Sequence, residues 1–335
     1  MAAYLVRRFG FVLVVLLGVT IVTFFLARVV PSDPARLLAG PRASSEAVEE
    51  IRRARGLDRP LWEQYGSYME ALSRGDLGTS LVTRRPVTSD LAAFVPATLE
   101  LVLYSLVVGT LLGVLLGVLS AVRPGSAVDV GGRFAAIGGL SLPNFWVALL
   151  LQFAFFVVLR TLPFGGRLDT GVMPPPTVTG LYTVDSLLAG RIDLFVQAGT
   201  HLVLPVIALA LAEMGLVARV VRASMLEVLG QDYIRSARAK GVAPWRLYRR
   251  HALRNALLPA ITVIGLEFGL LLSGTVLVES IFAWPGLGRY MADAISSSDY
   301  NAIMGVTIVV TVGYVLINLI VDLAYAYVDP RVRLT

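Results

Sequence analysis

The 335-residue chain contains no cysteine, a single lysine and only two histidines. Without cysteine there can be no disulfide, iron–sulfur cluster or thiolate metal site. The one lysine, Lys240, stands in Ala239-Lys240-Gly241. A phosphate-binding loop needs Gly-Lys-Ser/Thr, because its lysine holds the terminal phosphates, so no such loop can be built here. His201 and His251 are too few and too far apart to suggest a histidine metal site, and no H-E-x-x-H occurs. Charged residues make up only 16% of the chain, and the carboxylates are scattered without a nucleophile motif. An enzyme active site and a bound cofactor are therefore not expected.

What is abundant is apolar. Hydrophobic residues reach 56% and mean hydropathy is +0.74, too high for an ordinary soluble domain. Runs free or nearly free of charge cover Phe9–Ala27, Leu101–Val122, Phe134–Leu159, Leu202–Ala218, Ala256–Val278 and Ala302–Val321. Each approaches the ~20 residues that a bilayer-spanning helix needs. The expected fold class is an all-α polytopic membrane protein with six transmembrane helices. The first run exceeds the apolar core of a signal peptide and lacks a clear small-residue cleavage site, so it reads as a retained helix. Gly109, Gly113 and Gly117 share one face of the second run, suited to close helix packing within the chain or between subunits. Pro143-Asn144 should bend the third.

Val30–Pro96 is soluble in character, with nine arginines balanced by nine acids. Ser44–Gly56 has the order of a capped helix: Ser44 or Ser45 as cap, acids early, arginines late, glycine as stop. Leu61–Leu72 could form a second helix. Arg160–Thr200 is another outer segment, rich in Pro and Gly.

A net charge of +6 is compatible with nucleic acid, but the basic residues cluster at one end of the apolar runs. Arg7, Arg8, Arg123, Arg133, Arg331, Arg333 and nine residues between Arg219 and Arg254 fall on one side; Arg160, Arg167, Arg191 and Arg289 fall on the other. Cytoplasmic loops carry the excess of Lys and Arg, so both termini should be cytoplasmic, with the insertion facing out.

Two features stand out within this frame. Glu213 and Glu267 lie inside apolar runs, where a carboxylate is expensive and normally faces a polar pathway or a partner. The basic stretch from Arg219 to Arg254 holds only two acids, Glu227 and Asp232, and Gly241 divides two short helical segments within it. It is longer than topology or contact with anionic membrane lipid requires. A helix split by a glycine turn has the shape of a docking element.

That stretch resembles the cytoplasmic coupling loop of ABC importer permeases, with Arg235-Ser236-Ala237 standing for the family's E-A-A ahead of Gly241. DYIRSARAKG with RHALRNALLP is similar to the loop of the dipeptide/oligopeptide/nickel permeases. So are GDLGTSLVTRRPV, SLPNFW, ESIFAWPGLGR and NLIVDLAYAYVDPRVR. The long insertion resembles the B-type subunit of the pair. The resemblance implies a bacterial inner-membrane, multi-pass permease for peptides, with nickel chelates, glutathione or another small solute as alternatives. It also implies a C-type permease partner, two cytoplasmic ATPases carrying ATP and Mg, and an extracytoplasmic solute-binding protein. Residues 1–30 would be the cytoplasmic N-terminus and first span, 31–96 the insertion, and 97–335 the permease core with its loop at about 219–257. ATPase coupling would fall on Asp232, Tyr233, Arg235, Ser236, Ala237, Lys240, Gly241, Trp245 and Tyr248. Glu279, Trp284 and Arg289 would meet the binding protein or substrate. An ATP-independent channel or secondary transporter would instead show inverted repeats, and no repeat relates the halves.

Overall fold

The computed structural model describes residues 2–29, 34–39, 43–54 and 56–328; they are mostly helical, and no strand forms among them beyond an isolated bridge between Thr79 and Pro86. In chain order the helices are α1 (Ala2–Val29), α2 (Pro34–Ala39), α3 (Ser45–Ala54), α4 (Leu61–Ser73) and α5 (Val87–Val122). Next come α6 (Ala127–Ser141), α7 (Asn144–Gln152), α8 (Tyr182–Leu188), α9 (Ile192–Leu229) and α10 (Asp232–Ala239). The last are α11 (Pro244–Arg246), α12 (Leu253–Gly274), α13 (Val276–Ile281), α14 (Leu287–Ser296) and α15 (Tyr300–Val328). Two π-helical segments, Phe153–Val158 and Leu247–Ala252, follow α7 and α11. Among the described residues, five helices are long and apolar enough to cross a membrane, or six if the bent pair α6–α7 counts as one span. Arg331 and Arg333, used for the orientation, lie outside the described residues, as does the end of the C-terminal motif.

The apolar runs are found, with different limits. The third was expected as one bent helix over Phe134–Leu159. It is two helices meeting at 101°, and it begins at Ala127. Leu142 precedes a proline and so leaves the helical region (φ −90°, ψ 127°), while Pro143 is the N-cap of the next helix. Ser126 caps α6 by accepting from Asp129 N at 3.3 Å, so the helix already includes Arg133 ahead of the apolar run. The fourth run, expected over Leu202–Ala218, is part of a 38-residue helix. At 1.5 Å per residue that is about 57 Å, so α9 must protrude from a ~30 Å hydrocarbon layer.

The described chain forms two compact units, Met1–Val95 with Gly286–Val315, and Pro96–Pro285 with Leu316–Thr335. Residues 286–315, expected within the core that follows residue 96, thus cluster with the N-terminal unit.

In the first unit Phe24 of α1 packs on Tyr65 and Tyr68 of α4, with ring centroids 5.3 and 5.8 Å apart. Ser44 Oγ accepts from Ala47 N, capping α3, and Gly56 (φ +60°) ends the segment. Asp299 is fully buried and ties two distant motifs together: its carboxylate accepts from Ser80 Oγ, Leu81 N and Val82 N, while Asn301 Nδ2 donates to Thr79 O. Asp90 accepts from the Thr83 and Tyr290 hydroxyls. Burial pushes the Tyr290 phenol up to about 12. Val87, Leu91, Leu287, Tyr290, Ala294 and Ala302 form the apolar core beneath.

In the second unit α9 is central: 72% of its apolar stretch is buried, against 33% for α5 and 39% for the span containing α12. A methyl on Gly109 would lie 3.0 Å from Ala210 O, one on Gly113 2.9 Å from Met214 O, and one on Gly117 2.8 Å from Ala218 O. The glycine stripe therefore packs α5 on α9 within the chain. Leu111, Leu115 and Phe134 are exposed large apolar residues of this unit.

Candidate coupling site and polar interior

The basic stretch is shorter as a loop than its sequence suggests, because α9 continues to Leu229 and the fifth span begins at Pro244. Arg222, one of its nine basic residues, donates from Nε and Nη2 to both oxygens of Asp129 at 2.7 and 3.0 Å, joining α9 to the start of α6. What remains is α10 and a turn. Asp232 opens α10 and Arg238 lies in its last turn, each at the favourable end of the helix dipole. Ile234 is fully buried among Val221, Met225, Leu247 and Ala252, which pins α10 to the end of α9.

The turn is built for glycine. Gly241 N donates to Arg238 O at 3.0 Å and Val242 N to Ala237 O at 3.2 Å, the paired bonds of a Schellman cap. Gly241 has φ +75°, and Val242 and Ala237 both pack on the Ile234 cluster. Pro244 then occupies the first position of α11. Asp232, Tyr233, Arg235, Ser236, Lys240, Gly241 and Trp245 are exposed, while Ala237 and Tyr248 are half-buried. Asn255 Nδ2 donates to the Tyr233 hydroxyl at 2.8 Å. The result is a short helix held from below by one isoleucine and presenting polar groups outward.

The second short helix expected after Gly241 is not separate. α11, the π turn and α12 run on without a break into the fifth span. Around the π turn Trp245 and the arginines are exposed, while Tyr248 is half-buried and Ala252 buried.

Of the residues expected along a pathway, Glu213 is buried on α9. Its Oε1 accepts from Thr110 Oγ1 at 2.8 Å, and its Oε2 has no hydrogen-bond partner among the described residues. Glu267 is half-buried on α12. Two of the residues expected at the binding protein or substrate turn out to be interior. Glu279 is fully buried and accepts from Thr98 and Thr275 at 2.6 and 2.9 Å; Trp284 is buried and donates from Nε1 to Ala97 O at 2.9 Å. A carboxylate and an indole inside an apolar bundle need such internal partners, so neither faces an outside protein here. Arg289 is exposed on α14.

Glu100 and Arg167 form a buried pair that the sequence reading missed. Arg167 Nη2 donates to Glu100 Oε2 at 2.6 Å and to Gly180 O at 2.7 Å, and its guanidinium lies 3.5 Å from the Tyr182 ring centroid. Glu100 Oε1 accepts from Thr183 N and Oγ1. Asp185 holds the turn that offers Gly180 O: burial raises its pKa, but bonds from Thr179, Val178 and Gly180 outweigh that and keep it below the ordinary value. No group of three or more acids or histidines able to hold a metal occurs among the described residues.

Residues 113–334 match the family described as binding-protein-dependent transport system inner membrane component, and residues 1–102 match its N-terminal companion. The chain belongs to this permease family. It is therefore a multi-pass protein of the bacterial inner membrane and a permease component of an ABC importer. The probable D,D-dipeptide transport system permease protein DdpB of Escherichia coli K12 is 49% identical over 97% of this chain and 96% of its own length. The dipeptide transport system permease protein DppB of Alkalihalophilus pseudofirmus is 43% identical over 99% of this chain and all of its own. The glutathione transport system permease protein GsiC of E. coli O6:H1 is 35% identical over 99% of both. A chain of the MetNI methionine ABC transporter, in inward-facing conformations, aligns with a TM-score of 0.50 and 20% identity over 70% of this chain and 93% of that one. It shares the fold.

Proposed function

We propose that this chain is the B-type permease subunit of a dipeptide importer, half of a pathway completed by a C-type permease. Two cytoplasmic ATPases drive it, and an extracytoplasmic binding protein delivers the solute. Most of the relatives at 40–49% identity carry dipeptide in their names, with a di/tripeptide permease at 41% and an oligopeptide permease at 40%, and this supports dipeptides over glutathione, whose named relative stands at 35%. In this reading α6–α7 counts as one span, giving six with both termini cytoplasmic, residues 31–96 outside and 97–335 as the core. ATP stays on the partners.

The observation that carries the reading is the exposed α10 anchored by Ile234 and closed by the Gly241 cap. An ATPase gripping Asp232, Tyr233, Arg235, Ser236 and Lys240 would push through Ile234 on α9, the central helix of its unit. Such a rigid two-state element is what switching access requires. A methyl on Gly241 would meet no atom within 4 Å, so a substitution there strains only the backbone. Gly241→Val should leave insertion intact but uncouple ATP hydrolysis from uptake in reconstituted transporter. Gly241→Asn, which tolerates φ > 0 better, should retain most coupling. Normal coupled transport by the valine variant would sink the docking reading. For the pathway, Glu267→Gln should change dipeptide uptake; identical kinetics across pH would return Glu267 to a purely structural role.

A further inference from the structure

We infer that Trp245, expected from the sequence at the ATPase contact, instead joins Arg246, Arg249, Arg250 and Arg254 in a binding site for the phosphate of an anionic phospholipid headgroup, distinct from the α10 docking face. These five residues alone line a depression of about 490 Å³. The π turn Leu247–Ala252 lies in the middle of this row, its last i→i+5 bond running from Leu253 N to Tyr248 O.

The charge of the site is uncompensated within the chain. No side-chain hydrogen bond or ion pair engages any of the four arginines among the described residues. Like charges at i,i+4, as in Arg246, Arg250 and Arg254, repel one another, so this segment is more stable with an anion bound. The Trp245 side chain is 72% exposed beside them.

Position selects the lipid. The row rises about 13 Å along a helix that passes unbroken into the apolar run, and after Arg254 the next charged residue is Glu267. Arginines at that place sit where headgroups lie, and guanidinium forks match phosphate geometry. Tryptophan suits the same interface. The inference holds whichever solute is carried, and it does not depend on α10 being the ATPase contact.

The test is native mass spectrometry of the full-length chain in mild detergent, offered phosphatidylglycerol or phosphatidylcholine at equal concentration. Wild type should retain phosphatidylglycerol preferentially. Arg249→Gln/Arg250→Gln should lower that retention roughly 25-fold, about fivefold per arginine, whereas Arg249→Lys/Arg250→Lys should keep most of it. Arg238→Gln on α10 should change nothing. Should the double glutamine variant misfold, Arg246→Gln alone should still show the fivefold loss. Equal retention of the two lipids, or unchanged retention in the glutamine variants, overturns the inference. So does displacement of the lipid by millimolar inorganic phosphate, which would make this a free-anion site. Loss of co-purifying ATPases with lipid retention unaffected would assign the arginines to a protein partner, and overturns it equally.

Discussion

Arg167→Leu should destabilise the folded chain by about 3–5 kcal/mol, the usual cost of removing one partner from a buried ion pair. The loss is large because several groups are orphaned at once. Glu100, 1% exposed, would keep its two bonds to Thr183 but lose the Arg167 cation at 2.6 Å. Gly180 O would lose its donor, and Tyr182 the guanidinium stacked on its ring. Arg167→Lys should recover part of the loss, since an ammonium can meet Glu100 but lacks the planar guanidinium that stacks on the Tyr182 ring. Arg167→Leu/Glu100→Leu should be less damaged than the sum of its single variants, with a coupling of a few kcal/mol. Arg167 Nε is itself buried without a hydrogen bond, so the native pair is not fully satisfied, and an apolar replacement of both sides removes that defect too. The measurement is thermal or denaturant unfolding of the detergent-solubilised chain. A cost under about 1 kcal/mol for Arg167→Leu would show that the pair is solvated and does not hold the loop before α8.

This pair also marks the boundary of what the sequence makes legible. The helices that cross the membrane are readable because an uncharged run must satisfy its backbone internally. The Gly241 turn is readable because its chemistry is local: a glycine for positive φ, then a proline at the next helix start. Long-range neutralisation is not readable. Arg219 and Arg222 suggest that the fourth span has ended, yet α9 continues because Arg222 meets Asp129, 93 positions earlier in the chain. Glu100, one residue outside the apolar run as drawn, and Arg167, counted only as an outer charge, find each other across 67 positions. The same holds for Glu279 and Trp284, whose surface-like motif is drawn inward by Thr98 and Ala97. The π turn is not readable because a period of 3.6 residues per turn assumes the geometry that the turn abandons. Only the dense charge with no acids nearby hinted that the segment was unusual.

Gly215→Ala should be among the most damaging single-methyl changes in the span core. On α9, Gly215 faces the backbone of Ala136 on α6, and Gly139 of α6 reciprocally faces the backbone of Leu211. A methyl at either position would collide with a carbonyl oxygen, so no rotamer change can make room and the two helices must part. Overpacking typically costs about 1–3 kcal/mol, and a collision with backbone belongs at or beyond the upper end. Gly109 offers the internal comparison. Its nearest obstacle is Glu213 Oε2 at 2.5 Å, the far end of a flexible side chain, with Ala210 O at 3.0 Å behind it. Gly109→Ala should therefore cost less than Gly215→Ala, although both glycines line α9 contacts. Gly138, adjacent to Gly139 in sequence, meets no atom within 4 Å. Gly138→Ala should stabilise the isolated chain by up to about 1 kcal/mol, because alanine is the better helix former. The order Gly215 worst, Gly109 intermediate, Gly138 favourable follows only from which atom each new methyl meets. Unfolding midpoints of the three variants in one detergent measure it. Equal midpoints for Gly215→Ala and Gly138→Ala would mean that α6 does not pack on α9 at this distance, and the glycines would then be free for a contact between subunits.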